Sequence, residues 1–160
     1  MSNGHVDVVR LLLDRDEIQI NQASNSGYTP LWRASEKGHA DVVRLLLVRD
    51  EIKINQAGKD GETPLYITCQ EGHVDVVKLL LDRDEIKINQ ATGKYNGETP
   101  LYITCKKGHV DIVRLLLARK EIQIYKSDEY GRRPLEIAQR KKFTEIVALF
   151  KNYETATKKK

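Results

Sequence analysis

A short block of residues recurs along the chain and restricts its fold more than any other feature. It reads Gly-x-Thr-Pro-Leu in three copies and Gly-Arg-Arg-Pro-Leu in a fourth, and the copies begin at Gly27, Gly61, Gly97 and Gly131. These starting points are 34, 36 and 34 residues apart. A second block, Gly-His-x-Asp-x-Val-x-Leu-Leu-Leu, begins at Gly4, Gly38, Gly72 and Gly108. Two blocks in a fixed order at a nearly constant period indicate a repeat protein.

Each unit contains signals for two short helices. Thr29 followed by Pro30 favours a helix start, because Thr caps a helix and Pro suits its first position. The pattern therefore predicts a helix from about Pro30 to Lys37, which Gly38 ends. A second helix follows with Asp41 in its first turn, where a carboxylate opposes the positive end of the helix. Such short helices are unstable alone, so we predict an all-α fold held together by stacking between units.

The segment after each triple leucine contains two isoleucines that alternate with polar residues. They are Ile52 and Ile54 in one unit, and Ile86 and Ile88 in the next. This alternation predicts an extended arm that leads into a Gly-containing turn.

These blocks, followed by Ile-x-Ile-Asn, resemble the ankyrin repeat from residue 4 to about residue 150. The resemblance implies an all-α solenoid of stacked helix-turn-helix units whose projecting loops form a row of β-hairpin-like turns. The family's usual histidine after Thr-Pro-Leu is replaced here by an aromatic residue at Trp32, Tyr66 and Tyr102. Either these rings fill the interface between units, or they are partly exposed on the concave face and help to bind a partner.

The repeat boundaries divide the chain into six segments. An incomplete first unit (1–26) holds only a second helix and its loop, and three full units follow at 27–60, 61–96 and 97–130. A capping repeat (131–153) and a disordered basic tail (154–160) are expected at the other end. The chain is read as a fragment of a longer array, with a genuine half-unit cap as the alternative.

No catalytic, cofactor or metal residue is expected. The four histidines, His5, His39, His73 and His109, occur once per unit, so stacking separates neighbours by about 10 Å, which is too far to share a zinc ion. They are interpreted as ordering the helix-helix turn. Cys69 and Cys105 hold equivalent positions in neighbouring units and are expected to be free buried thiols. The resemblance also aligns Asn21, Asn55 and Asn89 with an asparagine that is hydroxylated in some family members.

The net charge of +4 does not indicate nucleic-acid binding. Residues 119–160 carry twelve Lys and Arg against six Asp and Glu, so the excess lies in the last unit and the tail. A nucleic-acid binder usually spreads positive charge along the face that it presents. No apolar run approaches the roughly 20 residues that a membrane span needs, and no signal peptide is recognised. We expect a cytoplasmic protein, with the nucleus as the alternative.

The resemblance implies a non-catalytic module that binds a protein partner. Positions that vary between units should contact that partner, and they lie at the loop tips and at the exposed ends of the first helices. The candidates are Tyr28, Glu36, Lys37, Lys59, Glu62, Gln70, Glu71, Lys94, Tyr95, Glu98, Lys106, Lys107, Tyr130 and Arg132. The three tyrosines are the expected anchors, because aromatic residues dominate interface hot spots. The alternative is a structural spacer or an engineered scaffold without a specific partner. A monomer is expected, with self-association through the exposed N-terminal end as the alternative.

Overall fold

The computed structural model describes residues 3–15 and 17–157, which contain nine helices and no strand. The helices are α1 (Asn3–Leu13), α2 (Pro30–Glu36), α3 (Ala40–Leu47), α4 (Pro64–Glu71), α5 (Val74–Leu81), α6 (Pro100–Lys107), α7 (Val110–Leu117), α8 (Pro134–Arg140) and α9 (Thr144–Thr157). Within these residues, no helix combines the length and apolar character needed to cross a membrane.

The helices form two layers. The first helices of the units, α2, α4, α6 and α8, contact one another in sequence order, and the second helices, α1, α3, α5, α7 and α9, form the other layer in the same way. Each first helix also contacts the second helix of its own unit. The predicted all-α stack of helix-turn-helix units is therefore confirmed.

The helix boundaries follow the predicted signals. The hydroxyl of Thr63 accepts a hydrogen bond from the backbone N–H of Tyr66 at 3.1 Å, and Thr29 and Thr99 cap their helices in the same way. Gly72 ends α4 in the left-handed conformation with a φ of 83°. A Cβ atom at Gly72 would lie 2.7 Å from the ring of His109 in the next unit. Glycine is thus needed at this position both for the backbone conformation and for the approach of the neighbouring unit.

The second helices form most of the core. Val43, Val77 and Val113 are completely buried, and two of the three leucines in each of α3, α5 and α7 are also buried. In α1 the corresponding residues are more open, since Val8 is 53% exposed and Leu12 is 44% exposed. The difference arises because no first helix covers α1 among the described residues.

The structure tests two expectations about local structure. The segment that holds Ile52 and Ile54 buries both side chains, and turns precede it at 48–51 and follow it at 54–55. One of these turns is closed by the N–H of Gln56, which donates to the carbonyl oxygen of Lys53 at 3.0 Å. At the other end of the chain, α9 continues to Thr157, so residues 154–157 are helical rather than disordered. Residues 158–160 of the expected tail lie outside the described part.

Contacts with the preceding unit and the core explain the longer last helix. Tyr153 packs against the hydrophobic core. The hydroxyl of Tyr125 donates a hydrogen bond to Glu154 at 3.1 Å, which ties the helix to the loop before it. These contacts lie beyond the periodic apolar pattern, and the charged composition of the segment masks them.

An asparagine at the base of each loop joins consecutive units. The side-chain amide of Asn55 donates to the carbonyl oxygen of Glu85 at 2.8 Å, and its oxygen accepts from the N–H of Lys87 at 2.8 Å. Asn21 and Asn89 make the same two bonds to the next loop. The series stops at Tyr125, which occupies the corresponding position in the next unit.

Replacing the bridging asparagine should weaken the stack. We expect Asn55→Ala to lower the free energy of unfolding by about 1 to 2 kcal/mol, because two backbone groups of the next unit lose their hydrogen-bond partner. Urea denaturation followed by circular dichroism measures the change. Asn25→Ala, at an exposed loop tip, is the matched control and should leave the midpoint unchanged. Equal midpoints for the two variants would contradict a stabilising role for the bridge.

Candidate protein-binding surface

The loop tips of consecutive units adjoin and form one surface. The backbone N–H of Lys94 donates to the carbonyl oxygen of Asp60 at 3.1 Å, and the N–H of Glu129 donates to Asn96 at 2.7 Å. The side chains of Lys94 and Asp60 also form an ion pair. Because hydrogen bonds link the tips, a partner would meet a continuous row rather than separate loops.

Each loop closes in the manner of a β-hairpin turn. The N–H of Gly58 donates to the carbonyl oxygen of Glu62 at 2.9 Å. The N–H of Thr92 bonds in the same way to Glu98 at 3.0 Å, across a loop with two additional residues. The inserted residues bring Tyr95 to the tip.

The predicted contact residues differ in exposure. Those that are exposed are Lys37, Lys59, Glu71, Lys94, Tyr95, Lys107 and Tyr130. Those that are half-buried are Tyr28, Glu36, Gln70, Lys106 and Arg132. The expectation of exposure is wrong for Glu62 and Glu98, which are only 5% and 3% exposed. Their burial results from contacts with neighbouring units that the repeat pattern does not reveal.

The aromatic row is buried, which confirms that it fills the interface between units. Trp32 is 3% exposed, and Tyr66 and Tyr102 are each 1% exposed. Their polar ends reach the next loop. The indole N–H of Trp32 donates to the carbonyl oxygen of Glu62 at 3.0 Å, and the hydroxyl of Tyr66 donates to the carboxylate of Glu98 at 3.1 Å. Trp32 and Tyr66 therefore pack in the core and also anchor the following loop.

Buried carboxylates under the loops are paired with cations in two of three units. The ammonium group of Lys106 donates to Glu98 at 2.7 Å. The guanidinium of Arg132 donates to Asp128 at 2.7 Å, and two backbone N–H groups also bond to that carboxylate. Burial alone would raise the pKa of Asp128, but the hydrogen bonds from Arg132 outweigh it and lower the pKa. The third carboxylate, Glu62, has a buried oxygen, Oε2, without a hydrogen-bond partner.

The loop tyrosines are held by their neighbours while part of each ring stays open. Tyr28 packs against Trp32 at a tilted angle with ring centroids 4.0 Å apart, and Tyr95 stacks on Tyr66 at 6.3 Å. Tyr130 donates a hydrogen bond to Asn96 at 3.3 Å, and its ring remains 68% exposed. Rings that are fixed before binding lose little conformational entropy when a partner covers them.

Two histidines join neighbouring units, as the structural interpretation predicted. The Nε2 atom of His73 lies 2.9 Å from the carbonyl oxygen of Glu36, and that of His109 lies 3.1 Å from the carbonyl oxygen of Gln70. Each ring therefore serves as a partner for the end of the preceding first helix. The side chain of His5 lies outside the described part of the structure.

Both cysteines are free and buried. Burial raises the pKa of Cys69 from 9.0 to about 12, and it raises the pKa of Cys105 as well. Burial likewise raises the pKa of Tyr102 to about 12, with a smaller contribution from Asp128. These groups remain protonated, and therefore uncharged, at neutral pH.

The raised pKa values predict a loss of stability in alkali. Above about pH 9 the thiols of the unfolded chain lose their protons while those of the folded chain keep them. Their stabilising contribution is thus complete below pH 9 and is lost as the pH rises toward about 12. We expect the free energy of unfolding to fall by more than about 1 kcal/mol over this range. Urea denaturation at a series of pH values measures it. A Cys69→Ala, Cys105→Ala variant should show a shallower fall, and an equal slope would contradict the assignment.

Removing Lys106 from one unit and adding a lysine at the corresponding position of the preceding unit should change the free energy of unfolding in opposite directions. We expect Lys106→Gln to lower the free energy of unfolding by about 1 to 2 kcal/mol, because the buried Glu98 carboxylate loses its charged partner. The converse change, Gln70→Lys, places an ammonium group at the corresponding position beside Glu62 and should raise it. Thermal and urea denaturation measure both. Lys107→Gln, at the exposed neighbouring position, is the control, and the same loss in that variant would argue against the pairing.

Stacked two-helix units, capped first helices and loops joined in a row define a helical repeat protein. The family model for ankyrin repeats, in three copies, matches residues 1–58, 50–117 and 84–159. The chain belongs to the ankyrin repeat family. Members of this family are generally protein-protein interaction modules and are typically non-catalytic. Comparison with the curated proteins gives no match for the chain.

Proposed function

We propose that this chain is a non-catalytic module that binds a protein partner through its loop tips and the exposed ends of its first helices. The observation that supports this most is the row of hydrogen-bonded loops that carries Tyr95, 42% exposed, and Tyr130, 68% exposed. Exposed aromatic rings at fixed positions are typical anchors of protein interfaces. The stack beneath the loops provides a rigid support.

The charges beside these rings favour a protein partner. The exposed ends of the first helices carry Lys37, Glu71 and Lys107 in successive units, so the sign of the charge alternates along the row. A mixed pattern of this kind suits a protein surface with complementary charges. It does not suit the uniformly negative backbone of a nucleic acid, which attracts a continuous basic face.

The aromatic anchors can be tested directly. We expect Tyr95→Ala combined with Tyr130→Ala to leave the fold intact and to reduce partner binding by tenfold or more, since hot-spot aromatics contribute on the order of 2 kcal/mol each. Affinity capture from a lysate of the source organism, followed by titration of the captured protein, measures this. Tyr125→Ala is the matched control, because Tyr125 is 59% exposed but lies outside the loop tips.

A structural spacer is the competing function, and the likeness of two units favours it. Residues 61–81 and 97–117 are identical at 17 of 21 positions, so few positions distinguish one unit from the next. A spacer would retain the same proteins whether or not the two tyrosines are present. Equal capture by the wild type, the double variant and the control would therefore support the spacer and overturn the binding module.

A further inference from the structure

One of the few differences between the units 61–96 and 97–130 changes the pairing of a buried charge. Glu98 is 3% exposed, and its carboxylate binds the ammonium group of Lys106 at 2.7 Å. Glu62 is the equivalent residue of the preceding unit and is 5% exposed. The residue that corresponds to Lys106 in that unit is Gln70, which brings no charge.

No described group supplies the missing cation to Glu62. Its Oε2 atom is buried and has no hydrogen-bond partner. Lys94, on the next loop, pairs with Asp60. The hydroxyl of Tyr95 lies near Glu62, and burial followed by the Glu62 charge raises the pKa of Tyr95. That hydroxyl is a neutral donor, so it does not balance the charge.

Three aromatic residues lie near Glu62. The indole of Trp32, which packs against Tyr28, donates to the backbone carbonyl of Glu62. Tyr66 and Tyr95, which stack on each other, both lie close enough for the Glu62 charge to act on their hydroxyl groups. Aromatic residues near a carboxylate can add to the attraction for an organic cation, because their ring faces are negative. A buried carboxylate without a partner is costly, and a cation that reaches it is bound correspondingly well.

We propose that Glu62 receives a lysine or arginine side chain of the protein partner, which takes the place that Lys106 fills beside Glu98. This assignment rests on the proposed binding function and names the chemistry that the partner presents. We infer that the cation enters beside Tyr95, which is 42% exposed and whose hydroxyl is affected by the Glu62 charge. A metal ion is a poorer occupant, since Ca²⁺ requires six to eight oxygen ligands and the described residues contain no group of three or more His, Cys, Asp or Glu side chains that could hold a metal.

Short blocked peptides test the proposed cation-binding site at Glu62 without knowledge of the partner. The probes are acetyl-Gly-Lys-Gly-amide and acetyl-Gly-Arg-Gly-amide, with acetyl-Gly-Gln-Gly-amide as the uncharged control. Titration into the ¹⁵N-labelled chain, followed by NMR, should shift the backbone amides of Glu62, Tyr66 and Tyr95 with the two cationic peptides. A single ion pair is expected to saturate in the millimolar range. No saturable shift in that range, or an equal shift with the Gln peptide, overturns the proposal.

Two variants test whether the peptides bind at Glu62. Glu62→Gln should abolish the shifts because the charge is gone. Gln70→Lys should also abolish them, because an internal ammonium then occupies the carboxylate as Lys106 does in the next unit. Asp84→Asn, which removes an exposed carboxylate of the same unit outside the proposed binding surface, is the control and should bind as the wild type does. Unchanged shifts in Glu62→Gln or in Gln70→Lys overturn the assignment.

Affinity measurements with a captured partner test the Glu62 site and the proposed binding function separately. Gln70→Lys should lower affinity for that partner by about tenfold or more, as expected when a buried charge pair at an interface is lost. If the double tyrosine variant loses the partner while Gln70→Lys retains it, the Glu62 site is contradicted and the proposed binding module is supported. If capture fails to depend on the tyrosines while the cationic peptides still bind at Glu62, the binding module is overturned instead.

Discussion

Packing between consecutive units is the constraint on which the rest of this structure depends. Most of the helices contain seven or eight residues, which is too few for stability in water. They persist because each unit covers the next, as the complete burial of Val43, Val77 and Val113 shows. The turn glycines serve the same packing. A Cβ at Gly38 would meet the ring of His73, and one at Gly72 would meet His109.

The loops gain their fixed positions from the same stacking. The asparagine bridges hold the base of each loop against the next unit, while Trp32 and Tyr66 anchor the following loop from within the core. The packing of the core residues thereby determines where the loop-tip residues lie. A change in the aromatic row would alter the position of the loop tips even though the rings themselves do not face a partner.

The sequence predicts the helices and the core well, because those features arise from local caps and from a repeated apolar pattern. It places the buried glutamates wrongly, since polar residues in a variable loop position are normally exposed. The burial of Glu98 depends on Tyr66 from the unit before it and on Lys106 from the far end of its own first helix. Contacts of this kind join residues that no helical or alternating period connects. One signal was present, namely the replacement of the family's histidine by tyrosine, whose hydroxyl requires an acceptor when it is buried. The long last helix escaped prediction for a related reason, because the charged residues around Tyr153 obscure its contact with the core.

The difference between Gln70 and Lys106 gives such an array a way to vary the proposed recognition site without disturbing its fold. Both residues are half-buried at the end of a first helix, outside the buried positions that neighbouring units share. Exchanging one for the other leaves the stacking surface intact, yet it decides whether a buried carboxylate is neutralised from within the chain. A satisfied carboxylate such as Glu98 fixes its own loop. An unpaired buried carboxylate such as Glu62 destabilises its surroundings, and under this proposal a cation from the partner would remove part of that cost. In a repeat protein whose core must be nearly identical in every unit, binding specificity is therefore expected to depend on the few positions that control these internal charge pairs.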